Sequence, residues 1–143
     1  PVVLVRSALL RPRAAGELHG PKRDSPREDK LQRLQWFANN GQGFGAPVQL
    51  FFSIDRRCGP PQWSDVGMFM QTFMLLAVER GLDTCPQEFW SHYNKLVDAH
   101  VGLPEGHMLF SGMALGYRDS DAPVNNFRSQ RAPFEEWGEL KGF

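Results

Sequence analysis

The segment "WSDVGMFMQTFMLLAVERG" limits the fold more than any other part of the chain. Ser64 or Asp65 suits an N-cap, and Gly81 suits the residue just past a helix end, so the segment is expected to be helical. Between those ends Val66, Met68, Phe69, Met70, Phe73, Met74, Leu75, Leu76 and Val78 cover nearly the whole circumference. A helix that is apolar all round must be surrounded. With 143 residues, the chain has enough for one compact domain and too little for two. It has difficulty enclosing such a helix alone, so the helix predicts a subunit interface.

The neighbouring segments read as a mixture of helix and strand. Residues 1–28 are rich in Arg and Pro and poorly periodic. They read as loop or arm, with a short helical turn around Ala14–Leu18. In "REDKLQRLQWFANN", Leu31, Leu34 and Trp36–Phe37 alternate with charges. This spacing predicts an amphipathic helix of about three turns, stopped by "NNGQGFG". "APVQLFFSID", bounded by a Gly-Ala-Pro entry and the turn "DRRCGPP", predicts a strand. After Gly81, Pro86 fits the first turn of a second helix, where a missing N–H costs nothing. Phe89, Trp90, Tyr93, Leu96, Val97 and Val101 would line one face of it, with "GLPEG" as its stop. "HMLFSGMALGY" predicts a final buried strand, whose Ser111, Gly112, Ala114 and Gly116 allow close backbone approach. The remainder is turn-rich, and its aromatic residues Phe127, Phe134, Trp137 and Phe143 are expected to pack on something.

Composition and motifs exclude several functions. Lys and Arg together number 16, as do Asp and Glu, so no global field draws the chain to nucleic acid or an anionic membrane. No continuous apolar run reaches the roughly 20 residues of a membrane helix. Cys58 and Cys85 make no disulfide framework, which suits a reducing cytoplasm. His19, His92, His100 and His107 lack zinc-site spacing, so no metal is expected. Cys85 and His92 stand about two helical turns apart with nothing to orient them, and a structural cysteine is the simpler reading. Dinucleotide and P-loop glycine motifs are absent, and Glu135–Glu136 reads as a solvated pair. Chemistry by a cofactor is favoured over chemistry by side chains. Arg128 and Arg131, with Ser129 and Asn126 close by, offer fork-shaped donors suited to a phosphate.

Taken in order, "FGAPVQLFFSID", "WSDVGMFMQTFMLLAVERGLDTCPQEFW", "LPEGHMLFSGMALGYRDSDAPVNNFRSQRAP" and the terminal "GF" resemble the C-terminal half of a nitroreductase-family flavoprotein. The resemblance runs from about residue 26 to residue 143, and residues 1–25 form a poorly matched arm. It implies one domain of α+β fold, with a mainly antiparallel sheet flanked by helices, of which this chain is the C-terminal portion. It also implies FMN as cofactor and an intertwined homodimer with flavin sites at the interface. NAD(P)H would give hydride to flavin N5, and the reduced flavin would then reduce a nitroaromatic, quinone or similar acceptor.

Carried onto this sequence, the resemblance places backbone of Pro86, Gln87 and Glu88 against the isoalloxazine edge, where an N–H could serve N5. Backbone suffices for that role, so the side chains at 87 and 88 are expected to be free to vary. Arg131 would pair with the FMN phosphate, with Arg128 or Ser129 as second contact. Phe89 and Trp90 stand where many relatives carry glycine. The family's Arg-Arg-Ser and Pro-Ser-x-x-Asn-x-Gln-Pro-Trp segments cannot be found, which suggests a fragment of a longer reductase. The alternatives are a truncated, catalytically inactive dimerisation or binding module and a flavin-binding sensor.

Overall fold

The computed structural model describes residues 2–5 (by their backbone), 30–126 and 128–142. The helical turn expected around Ala14–Leu18 lies outside the described residues. The chain divides into two compact units, Leu34–Arg118 and Pro1–Arg33 with Asp119–Phe143.

The larger unit is built on a three-stranded antiparallel sheet in the order β2-β4-β3. Its strands are β2 (Val48–Asp55), β3 (Asp83–Gln87) and β4 (His107–Gly116). β4 is central, and Leu109, Ser111, Gly112, Met113 and Ala114 are all buried, as its run of small and apolar residues requires. The β2–β4 register slips between Phe52 and Ser53, so Phe52 pairs Ser111 while Ser53 pairs Leu109. This bulge leaves Phe110 as the extra residue.

Helix α2 (Pro60–Glu79) packs on one face of the sheet, where Phe69 meets the ring of Phe52 edge-on with centroids 6.1 Å apart. The expected N-cap at Ser64 or Asp65 is corrected: Gly59 is the cap, and Pro60 and Pro61 open the helix. Their fixed φ suits the first turn, and the Gly59 N–H donates to Gln62 Oε1 at 3.1 Å. Ser64 already lies inside, its hydroxyl donating to the Pro60 carbonyl. Gly81 ends the helix as expected, with φ +72°. Leu82 N–H reaches Ala77 O and Gly81 N–H reaches Val78 O, the paired bonds that close a left-handed C-terminus. Met70 and Ala77 are buried, yet Met68, Phe69 and Leu75 are 61%, 59% and 62% exposed. Much of this apolar helix is therefore exposed.

The expected helix from Pro86 is also corrected. Pro86 belongs to β3, and the next six residues, Glu88–Tyr93, form a 3-10 helix before α3 (Asn94–Val101) begins. An edge strand leaves half its N–H groups without a ladder partner, so proline is tolerated there. A 3-10 turn advances further per residue than an α-turn, so the single apolar face inferred from spacing is broken. Val97 is buried, but Leu96 and Val101 point outward. Gly102 ends α3 at φ +69°.

Ahead of β2, α1 (Lys30–Ala38) runs into a 3-10 segment, Asn39–Gly45, where the sequence "NNGQGFG" predicts a stop. In the smaller unit, β1 (Val2–Val5) pairs antiparallel with β5 (Gly138–Lys141). Part of the region read as loop is therefore a strand, as its run of Val and Leu favours, and β4 is not the last strand. Short α4 (Phe134–Trp137) precedes β5. Phe134 and Trp137 stack edge-to-face at 5.0 Å, so this part of the aromatic tail packs on itself. Phe127 and Phe143 lie outside the described residues.

Candidate functional site

The candidate platform is the end of β3. Antiparallel partners share a face, so the pairings Gln49–Ala114, Phe51–Gly112, Cys85–Ala114 and Gln87–Gly112 place these residues on the sheet face opposite α2. Trp90, from the 3-10 helix that follows Gln87, lies on Gly112: a Cβ there would stand 2.3 Å from Trp90 Cδ1. Phe51, Phe89 and Tyr93 enclose the indole with ring centroids 5.4, 5.3 and 6.5 Å away.

The Asn39–Gly45 segment covers the same face. Gln87 is 2% exposed, and its Nε2 donates to Asn40 O at 2.9 Å and to Asn40 Oδ1 at 3.4 Å. Gly43, at φ +58°, sits over the Gln49 amide, where an added Cβ would lie 2.0 Å from Nε2. Phe44 is the one described non-glycine residue at positive φ, +54°, a strained conformation that surrounding contacts must hold. Its ring meets Trp36 at 5.5 Å. Four buried atoms in this layer, Gln49 Nε2 and Oε1, Gln87 Oε1 and Trp90 Nε1, have no hydrogen-bond partner among the described residues. At about 1–3 kcal/mol each, leaving all four unpaired would cost much of a domain's stability of about 5–15 kcal/mol. Two donor atoms and two acceptor atoms in one layer suit ordered water.

The structure thus brings Pro86, Gln87 and Glu88 together at one strand end. Pro86 and Glu88 are exposed, and the Gln87 side chain is buried. The expectation that the side chain at 87 is free to vary is corrected, because it is the polar anchor of the segment. Arg128, Ser129 and Arg131 belong to the smaller unit. Both arginines are exposed, and Arg131 Nη1 donates to the Ser129 hydroxyl. Asn40, Gly43 and Gln49 were not singled out by sequence reasoning. A polar residue at an inward position of "PVQLFF" was the available signal for Gln49.

Elsewhere the electrostatics are structural. Arg118 clasps Asp83 through Nη2 at 2.6 Å and Nε at 3.1 Å, and this hydrogen bonding lowers the Asp83 pKa. Ser53 Oγ and His107 Nδ1 are 3.1 Å apart, a pairing that invites comparison with a nucleophile and base. The nearby Asp55 is committed to Arg57, which holds its carboxyl well below the usual carboxylate range. Although the Cys85 residue has an exposed surface, desolvation of its sulfur pushes the thiol pKa up. Reactive cysteines show the opposite shift. No group of metal-ligating side chains occurs among the described residues, and no helix among them is long and apolar enough to cross a membrane.

The model of the Nitroreductase family matches residues 2–117. The chain belongs to the nitroreductase family. A 4-nitrobenzoate reductase of Pseudomonas putida is 35% identical over 140 residues, 98% of this chain and 62% of its own length. A chloronitrobenzene nitroreductase of Comamonas testosteroni is 37% identical over 78% of this chain and 49% of its own. Among solved structures, the FMN- and NADPH-dependent nitroreductase NfnB of Sphigopyxis sp. strain HMH aligns with 96% of this chain and 64% of its own. Its identity is 42% and its TM-score 0.88. NfnB of Mycobacterium smegmatis, solved in complex with NADPH, aligns with 93% of this chain and 60% of its own at 28% identity and TM-score 0.83. The α+β architecture expected from sequence is the nitroreductase fold, and this chain spans about half to two-thirds of these relatives' lengths.

Proposed function

We propose that this chain is the C-terminal portion of an FMN-dependent oxidoreductase. It carries reducing equivalents from NAD(P)H to a nitroaromatic, quinone or similar small acceptor, and it works as a cytoplasmic homodimer. The observation that carries the reading is the β3 end: an edge strand whose last residue, Gln87, is anchored through its buried side-chain amide between exposed Pro86 and Glu88.

The residues present fit a flavin mononucleotide in their donor chemistry. Arg131, with Arg128 or Ser129, would hold the phosphate through charge-assisted hydrogen bonds. Backbone at Pro86, Gln87 and Glu88 would lie against the ring edge, where an N–H needs no reorganisation as charge develops. Bound FMN supplies two-electron redox chemistry between the nicotinamide and the acceptor. The chain's own residues bind and orient it. Aromatic side chains at 89, 90 and 93 pack against one another beside the platform. The exposed apolar surface of α2 supports a second copy as its cover.

Titration of the full-length protein with FMN, followed by NADPH oxidation in the presence of 4-nitrobenzoate, tests the reading. Stoichiometric FMN uptake and acceptor-dependent NADPH consumption are expected. Replacing Arg131 with Ala should weaken FMN about 10- to 100-fold, the loss of one charge-assisted contact. A dimer that takes up no FMN would instead identify an inactive dimerisation module. FMN uptake without turnover would identify a sensor.

A further inference from the structure

We propose that Gln87 is a positioning residue: its side-chain amide, held by the Asn40 carbonyl, fixes the backbone of Pro86–Glu88 from inside the protein. This rests on the flavin reading above and extends it to a side chain that does not itself reach the cofactor.

Three observations converge on Gln87. Gln87 is 2% exposed although it ends an edge strand, and it stands between exposed Pro86 and Glu88, so its side chain turns inward between two residues that face out. Its Nε2 bridges 47 positions of sequence to Asn40 O at 2.9 Å, tying the platform to the Asn39–Gly45 segment. That segment is shaped for close approach, with Gly43 in left-handed backbone directly over the Gln49 amide. Methionine would fill the same volume at 87 with no donor. The layer also holds the unpaired Gln87 Oε1, Gln49 amide and Trp90 Nε1, groups that ordered water can join into one network. Such a network fixes position more tightly than apolar filling does, because each amide has a required direction. A platform of backbone N–H groups depends on that tightness, since displacement by about 1 Å can cost about 100-fold in function.

The test is Gln87→Met in the full-length protein, with Gln87→Asn as a second variant that keeps the amide but falls one methylene short of Asn40. Amide hydrogen exchange is measured in FMN-free protein, and FMN affinity and the visible spectrum of bound flavin are measured after loading. Exchange at Gln87, Glu88 and Phe89 is expected to rise about tenfold or more while Met113 and Ala114 in central β4 keep their protection. FMN should bind about tenfold more weakly with a changed visible band shape. Unchanged exchange at 87–89 overturns the proposal, and so does an equal rise throughout β4, which would make Gln87 a general stabiliser. Variants that match a flavin-binding wild type in affinity and spectrum overturn it too, and leave the flavin reading standing. Wild-type protein that takes up no FMN overturns the flavin reading itself, and this inference with it.

Discussion

Substituting Gly112 with Ala probes how tightly the platform's underside is packed. The new methyl would stand 2.3 Å from Trp90 Cδ1, 3.0 Å from Cγ and 3.2 Å from Nε1. Carbon atoms in good contact lie about 3.5–4.0 Å apart, so the indole or the strand must give by about 1.2–1.7 Å. The indole is a rigid ring with Phe51, Phe89 and Tyr93 around it, so no flexible chain end absorbs the shift. Overpacking of this kind costs about 1–3 kcal/mol, and loosening aromatic pairs adds about 0.5–1.5 kcal/mol each. A loss of about 3 kcal/mol is expected, which lowers Tm by about 9 °C for a chain of this size. Thermal melting and urea unfolding read it directly. The partner change Trp90→Leu should relieve the clash, so the double variant should be about 1–2 kcal/mol more stable than the two single losses predict. A Gly112→Ala protein melting within about 2 °C of wild type, or strictly additive losses, would refute the reasoning.

Met113, 0% exposed, shares the α2 side of the sheet with its pairing partner Leu50, and Met113→Ala should lose about 2–5 kcal/mol in urea unfolding. The Asp83–Arg118 pair is partly exposed, so Asp83→Asn should cost at most about 1 kcal/mol at pH 7 and less at high salt. Because Arg118 lowers the folded pKa of Asp83 below its ordinary 3.8, the pair's contribution is complete above that value. It is lost as pH falls through the lowered pKa, so the gap between Asp83→Asn and wild type should close in acid unfolding titrations. Met68→Glu and Leu75→Glu place charge on the open side of α2, and each should convert a dimer to monomer in analytical ultracentrifugation. Unchanged sedimentation in both would dismiss a second copy as the cover of that helix.

Glycines and small residues were the legible parts of this sequence. Gly81 and Gly102 each end a helix at positive φ, and the small residues of "HMLFSGMALGY" do let Trp90 and Pro47 approach the strand closely, at Gly112 and Gly116. Both signals are local: a backbone conformation, or the absence of a side chain, is written in the residue itself. Pro86 was misread because its local signal is ambiguous. Proline suits the first turn of a helix and the rim of a sheet equally, and only the position of β3 at the sheet edge selects the second. That position depends on β4, whose partner residues lie about 30 positions downstream, as in Cys85–Ala114. The same distance explains why the role of Gln87 was not legible. A glutamine after a proline carries no sign of burial, and its partner Asn40 lies within a stretch that sequence marks only as a helix stop. Once the strand is an edge and the turn lies over it, the amide has one place to go. The side chain expected to be free to vary is buried and hydrogen-bonded, while its neighbours Pro86 and Glu88 are left exposed. A surface needing only backbone to make its contacts still needs a specific side chain behind it.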